Sequence, residues 1–124
     1  MSTWSIVKLE LGRTDEFPSG SASRSYIIRI PLSEHGWIDE AAHQAYPVRA
    51  TIRRFWPNQP DQSGYVVKAK KGWVFSYAVG EDDDESLFHM EDRSIKIGEY
   101  LTVTEPNGDR LPDRVVGVTP IQIT

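Results

Sequence analysis

Short runs in which apolar and polar side chains alternate are the feature of this sequence that constrains its fold most strongly. In WSIVKLEL (4–11), one side of the chain carries Ser5, Val7, Leu9 and Leu11, and the other carries Trp4, Ile6, Lys8 and Glu10. A period of two is typical of a β-strand with one buried face. The chain also holds ten Val and ten Ile against six Leu, and branching at Cβ favours pleated sheet over helix. The sequence therefore indicates an all-β fold.

Turn-forming residues separate these runs along the chain. The predicted strands are 4–11, 24–32, 48–56, 65–70, 73–79, 95–105 and 110–118. A tight turn at Lys71-Gly72 joins one hairpin, with Trp73, Phe75, Tyr77 and Val79 on its core face, and Asn107-Gly108 marks a second hairpin. A length of 124 residues suits one domain. We predict a single β-rich domain over 1–124, a small barrel or sandwich of about six to seven antiparallel strands.

One short helix is predicted near 39–46, in DEAAHQAY. Asp39 is a suitable N-cap, three alanines favour helix, and Pro47 stops it. His43 follows Asp39 by four residues, so the two side chains lie on one helix face. This spacing suits either a structural pair or an oriented general base, and we favour the structural interpretation.

Several classes of protein are disfavoured by what the sequence lacks. It contains no cysteine, which removes disulfides and thiolate chemistry. No leader-like start or membrane-length apolar run is seen, so we expect a cytoplasmic protein without membrane contact. No phosphate-binding glycine loop, G-x-S-x-G elbow or H-E-x-x-H motif occurs. We expect no cofactor, no metal and no catalytic residue.

An acidic stretch follows the first hairpin. GEDDDESLFHMED (80–92) has seven carboxylates, one histidine and no basic residue. Counted from Asp82, the register of a helix–loop–helix calcium site fails at Leu87 and Arg93. The three histidines, His35, His43 and His89, have no recognisable ligand spacing. We interpret the stretch as a solvated loop in which Asp82, Asp83, Asp84 and Glu85 are available to a partner or a cation.

Basic residues concentrate in the strands before that stretch. Residues 48–72 carry six basic residues against one acid, Asp61. Aromatic residues accompany them, although Tyr65 and Trp73 are expected in the core. The candidate binding residues are the cations Arg49, Arg53, Arg54, Lys68 and Lys70, with Trp56 as the exposed aromatic. Cations with aromatic rings are the surface by which small barrels bind single strands, and they are also ordinary on a soluble sheet.

These observations predict a binding or regulatory module that acts through a basic–aromatic strand surface and an acidic loop, with a protein as the expected partner. Two alternatives stay open. One is a domain that binds single-stranded nucleic acid through the same residues. The other is a small enzyme that uses His43 with Asp39, or His89 with nearby carboxylates. A homodimer, in which the acidic loop meets the basic face, is a further option.

Overall fold

The fold is a closed antiparallel β-barrel in which the order of strands around the sheet is their order along the chain. The computed structural model describes residues 2–70, 72–77 and 88–121. The strands are β1 (Thr3–Leu11), β2 (Ser21–Leu32), β3 (Thr51–Phe55), β4 (Gln62–Lys68), β5 (Trp73–Ser76), β6 (Phe88–Met90), β7 (Tyr100–Thr104) and β8 (Arg110–Pro120). The prediction of a small all-β barrel with one short helix is confirmed, with eight strands instead of six to seven. Lys71, Val79 and the acidic residues Asp82 to Glu85 lie outside the described residues.

Alternation along the strands fills the barrel interior as the sequence predicts. Val7 pairs with Ile28, and Ile28 pairs with Ile52, so three aliphatic side chains from neighbouring strands form one inward row. All three are fully buried. On the hairpin, Trp73, Phe75 and Tyr77 are buried, as expected of its core face. Burial of such β-branched and aromatic surface is the main force that holds a barrel of this size together.

Several predicted strands have the wrong bounds, and two of them start too early. The run 48–56 begins instead as a 3-10 turn, Pro47–Arg49, because Pro47 directs the chain into a turn after the helix. Val48, which alternation places on the same side as Ile52, is 73% exposed. The run 95–105 forms a strand only from Tyr100, since a turn at Gly98 with positive φ interrupts its alternation. Conversely, β2 starts at Ser21, inside the segment predicted as a loop.

The predicted helix is α1 (Glu40–Ala45), which lies between β2 and β3. The Asp39 carboxylate accepts a hydrogen bond from the backbone N–H of Ala42 at 3.1 Å, so Asp39 is the N-cap as predicted. His43 is buried with its Nε2 2.7 Å from the carbonyl oxygen of Val66. Because a carbonyl only accepts, Nε2 donates. Asp39 and His43 thus have separate structural partners.

The two ends of the barrel differ in what closes them. Helix α1 occupies the end where β2 and β4 finish, and the His43 ring packs edge-on against Trp73 with centroids 4.9 Å apart. The other end, where β1, β3, β5 and β7 finish, is called the mouth end below. No helix in the described part of the chain is long and apolar enough to cross a membrane.

Gly64 in β4 shapes the mouth end. A Cβ at this position would overlap the carbonyl oxygen of Ser76 and would lie 2.9 Å from the Cα of Tyr77. The end of β5 therefore lies closer to β4 than any side chain at position 64 would allow. Tyr77, the next residue, keeps the inward parity of Trp73 and Phe75 and is buried.

Candidate functional site

A cleft of about 280 Å³ opens at the mouth end of the barrel. It lies between the end of β1, the start of β2, the end of β3 and the β7–β8 turn. Its lining residues are Leu11, Thr14, Glu16, Phe17, Arg24, Trp56, Pro57, Gln59, Glu105, Asp109 and Leu111. A volume at the lower limit of ligand pockets suits one small organic molecule.

Arg54 lies directly behind this cleft. Three lining side chains contact its guanidinium: Gln59 Oε1 accepts from NH1 at 2.9 Å, Glu105 Oε2 is 3.7 Å from NH2, and the Trp56 ring centroid is 4.0 Å from Cζ. The Phe88 ring centroid is 5.0 Å away. The residue is only 5% exposed. A buried cation held by one carboxylate, one amide and two rings is a specific arrangement, because an unpaired buried charge would be very costly.

Tyr26, Tyr77 and Asp113 are buried residues; burial raises their pKa values, and the nearby charge of Arg54 acts to lower them. Tyr26 pairs with Arg54 across β2 and β3, so both side chains point into the barrel. Asp113 comes from β8, opposite Leu101 of β7 and Leu11 of β1, and is 1% exposed. Tyr77 follows β5, and its ring packs on Phe88 with centroids 5.5 Å apart. Five strands thus contribute a set of polar side chains, which we call the mouth cluster: Tyr26, Arg54, Tyr77, Glu105 and Asp113.

Three polar atoms of the mouth cluster have no hydrogen-bond partner among the described residues. They are Arg54 Nε, the Tyr77 hydroxyl and Asp113 Oδ1. The same holds for only one other buried side-chain atom of the described residues, Nδ1 of His43 at the helix end. A buried polar atom without a partner costs about 1–3 kcal/mol. Their concentration at one end of the barrel indicates a place where a bound molecule would complete the hydrogen bonding.

Electrostatics keep the mouth cluster close to neutral. The pKa of Asp113 is raised to about 8, mainly by burial and in addition by the negative charge of Glu105, while the charge of Arg54 acts in the opposite direction. Asp113 is therefore mostly protonated at pH 7. Burial also raises the pKa of Tyr26 and of Tyr77, so both phenols keep their protons. The remaining charges are those of Arg54 and Glu105, which pair with each other.

The expected exposure of two predicted binding residues is wrong. Arg54 shares the inward parity of Ile52 and is buried, and Trp56 is partly buried against the core instead of standing free. The physical reason is the barrel itself. Curvature brings Trp56, at the end of β3, over the interior, where it contacts Tyr26 with ring centroids 5.9 Å apart. The structure brings these two predicted residues together at the mouth.

The other predicted binding residues lie elsewhere. Arg53 is exposed on the outside of β3, opposite Ile27, and Arg49 stacks on Tyr46 at 4.3 Å beside the 3-10 turn. Lys68 is half-buried at the helix end, where its Nζ donates to the carbonyl of Gly72 at 3.3 Å. Lys70 is exposed beyond β4. The five cations do not form one continuous surface.

Tyr65, expected in the core, is 50% exposed on the outside of β4. It pairs with Thr51, so its outward direction follows from the register of β3 with β4. The expectation for Trp73, which is 1% exposed, is confirmed.

Sequence reasoning missed Tyr26, Tyr77 and Asp113 as site residues. A signal for Asp113 was present, since alternation in RLPDRVVGV places it on the face of Leu111 and Val115. A carboxylate on a core face is costly unless it is paired or protonated. The proximity of Tyr77 to Asp113 had no sequence signal, because it depends on closure of the barrel.

A second cleft, of about 420 Å³, lies on the side of the barrel near the start of β1 and the end of β2. It is lined by Thr3, Ser5, Leu32, Ser33, Glu34, Gly36, Ile95, Lys96, Ile97 and Val118. The mouth cleft is smaller, but three of its lining side chains, Trp56, Gln59 and Glu105, contact Arg54, which has a buried atom without a partner. We therefore take the mouth cleft as the candidate site.

The histidines do not contribute to either cleft. His43 is buried under α1, and His89 is exposed on the outside of β6. In the described part of the chain, no three His, Asp or Glu side chains are grouped so that they could hold a metal ion.

Comparison of the chain with protein-family models, with curated proteins and with solved structures finds no match.

Proposed function

We propose that this protein binds a small organic molecule at the mouth of its barrel, with the cleft holding the body of the ligand and the mouth cluster recognising its polar end. The observation that carries the proposal is the group of three buried polar atoms without partners, on Arg54, Tyr77 and Asp113, together with the contacts of Arg54 to three side chains that line a cleft. An apolar core of the same shape would be more stable. These side chains are therefore explained better by a ligand than by stability.

The proposal retains the prediction of a binding module and changes the surface. Arg54 and Trp56 remain predicted contacts, since Trp56 lines the cleft and Arg54 lies behind it. The cytoplasmic location, and a role for the acidic residues Asp82 to Glu85 as partner or cation contacts, stay predictions.

Titration of isotope-labelled protein with a library of small aromatic and heteroaromatic fragments tests the proposal. The indole N–H of Trp56 is the reporter, assigned through Trp56→Phe, and that of Trp37 is the internal control. Trp37 is exposed and lies between β2 and α1, at the helix end. We expect a subset of fragments to shift Trp56 and the side-chain N–H of Arg54 while Trp37 is unchanged. A library in which no fragment shifts Trp56 would refute binding at the mouth.

A second candidate function is binding of an anionic partner on the outside of β2, β3 and β4. Arg29 pairs with Thr51 and Thr51 with Tyr65, while Ile27 pairs with Arg53, so two cations and two apolar side chains share this outer face. Neither Arg29 nor Arg53 has an ion pair within the described residues. Exposed arginine with tyrosine is typical of interfaces and of surfaces that stack bases.

Two measurements distinguish the partners of this outer face. A single-stranded oligonucleotide should shift the amides of β3 and β4, with an effect that fades as salt rises, if the partner is nucleic acid. Sedimentation at low and moderate salt detects a homodimer. Arg29→Glu with Arg53→Glu should abolish either association, whereas Arg13→Glu with Arg110→Glu, at exposed positions elsewhere, should keep it. Equal effects of the two pairs would mean that bulk charge is responsible.

A further inference from the structure

We propose that the ligand of the mouth site is an uncharged aromatic compound whose polar end is a carbonyl group, as in an aromatic amide or ketone. This inference rests on the proposed function and adds the chemical class of the ligand. It follows from three properties of the site: which hydrogen-bonding groups are unsatisfied, what charge surrounds them, and which side chains flank the approach.

Two of the three unpartnered atoms, Arg54 Nε and the Tyr77 hydroxyl oxygen, can donate a hydrogen bond, so a ligand that binds them must provide an acceptor. Arg54 Nε carries a proton and has no lone pair to offer, so it can only donate. The Tyr77 hydroxyl, which keeps its proton, is a second available donor. NH1 and NH2 of Arg54 contact Gln59 and Glu105, so Nε is the buried guanidinium nitrogen that has no partner among the described residues. A carbonyl oxygen has two lone pairs and suits two donors.

The ion pair beside Arg54 Nε favours a ligand without charge. Arg54 and Glu105 form an ion pair at 3.7 Å, in which the side chains are 6% and 19% exposed. An added carboxylate would lie beside Glu105, and an added ammonium beside Arg54, in both cases with little water to screen the repulsion. Asp113, protonated at neutral pH, contributes no charge to offset either of them. An uncharged carbonyl satisfies the donors without disturbing the existing ion pair.

The approach to the site is aromatic. Trp56 and Phe17 line the cleft, and the buried ring of Tyr26 packs against Trp56. Arg24 is 4.0 Å from the Phe17 ring centroid and 6.0 Å from that of Trp56, so it spans the two rings. A flat ring that enters the cleft gains offset or edge-to-face contact with Trp56. The cleft volume of about 280 Å³ accommodates one such ring with a short substituent.

The direct test compares three planar molecules of nearly equal shape, namely benzamide, benzoate and benzamidine, at pH 7. They differ in charge at the same end: neutral, negative and positive. We expect benzamide to shift the Trp56 indole and the Arg54 Nε–H resonances with a dissociation constant at least about tenfold lower than those of the other two. A lowest dissociation constant for benzoate or for benzamidine would overturn the inference and leave binding at the mouth intact. If none of the three binds but other fragments shift Trp56, the carbonyl class is wrong. If no fragment of any class shifts Trp56, the proposed function fails as well.

A matched pair of variants tests the role of the unsatisfied hydroxyl. Tyr77→Phe removes one oxygen that has no partner in the described structure, so thermal stability should not fall. Affinity for benzamide should fall about fivefold to tenfold, as for the loss of one hydrogen bond. Tyr65→Phe, which removes a hydroxyl from the exposed outer face, should change neither quantity. Unchanged benzamide affinity in Tyr77→Phe would show that the hydroxyl does not recognise the ligand, and would overturn the two-donor arrangement.

Discussion

Asp113 shows how one residue can work against the stability of its own fold. It sits among Leu11 and Leu101 in the inward layer of the barrel. The groups that act on its carboxyl are Glu105 and Arg54, and it in turn raises the pKa of Tyr26 and Tyr77. Arg54 is nearby but is already engaged by Glu105, so it offsets burial only in part. The outcome is a carboxylic acid that stays protonated well above its ordinary pH range.

This predicts a pH dependence of stability that a single substitution removes. The pKa of Asp113 is about 8 in the folded protein and near 4 when unfolded. Between these values, unfolding releases a proton, so the free energy of unfolding falls as pH rises, by about 1.4 kcal/mol per unit. Asp113→Asn should lack this fall and should be more stable than the wild type at pH 9, by several kcal/mol. Denaturant unfolding at pH 5, 7 and 9 measures the difference.

The exposed carboxylate of Asp61 provides the control for that experiment. Asp61→Asn removes the same charge from a loop and should follow the wild-type curve. The pKa of Glu105 is also raised by burial, and this adds a shallower slope common to all three proteins. Parallel curves for wild type and Asp113→Asn would mean that the carboxyl is ionised in the folded state.

At the residue scale, sequence reasoning found side chains but not always their direction. Alternation placed Ser5, Val7, Leu9 and Leu11 correctly on the inner face of β1. Alternation also places Arg54 and Trp56 on the side of Ile52, but both were assigned to a binding surface on the assumption that a positive charge faces water and that Trp56 is exposed. The assumption about charge does not hold for Arg54, because a carboxylate (Glu105), an amide (Gln59) and an aromatic ring (Trp56) surround its guanidinium. None of these partners is the neighbouring residue in the sequence.

Strand β4 illustrates the element scale, because the lack of a side chain at Gly64 lets the end of β5, next to Tyr77, approach it closely. The lack of a side chain lets the Ser76 carbonyl lie where a Cβ would be. Gly64→Ala should therefore displace the chain after β5 and destabilise the protein by about 2–4 kcal/mol, with loss of the packing of Tyr77 on Phe88. Thermal unfolding, together with the chemical shifts of the Phe88 ring, reports both effects.

Gly117 in β8 provides the matched control at the same scale. A Cβ there would meet only the Cβ of Lys8, at 3.8 Å, which is an ordinary contact. Gly117→Ala should leave stability within about 1 kcal/mol of the wild type. Similar losses in the two variants would show that glycine matters in these strands for a reason other than close approach.

Elements with a strong local signal were predictable, and those set by context were not. Helix α1 has its cap at Asp39 and its stop at Pro47 in the sequence itself. Strand β6 has three residues, too few for a period of two to be recognised, so the predicted strand count was too low. The late start of the strand in the run 48–56 had a cue in Pro47, but the alternation that follows concealed it.

Over the whole molecule, pairing is uneven around the barrel. Strand β1 pairs with β2 along its full length and with β8 from Ser5 to Leu11. Among the residues that the structure describes, strand β6 pairs with β7 only through His89 and Met90. Closure itself was not predictable from alternation, because the same pattern suits a barrel and a sandwich. It depends on the registers of β1 with β8, which no local segment encodes.

This unevenness predicts a gradient of hydrogen exchange. Because local opening is easiest where the ladder is shortest, the β6 amides should exchange at least about tenfold faster than those of Val7 and Leu9 in β1. Exchange followed by NMR at neutral pH provides the comparison. Equal protection in β1 and β6 would mean that the barrel opens only by unfolding globally.

The pairing of β1 with β8 has a further consequence, for aggregation. Each described strand has a neighbour on both sides, so the native barrel offers no open backbone edge onto which another copy could add a strand. Opening of this one seam would expose two long strands with Ile6 and Val7 on one edge and Val115, Val116 and Val118 on the other. Strands of that composition pair readily with copies of themselves. The registers that close the barrel thus also keep its most β-prone segments from polymerising.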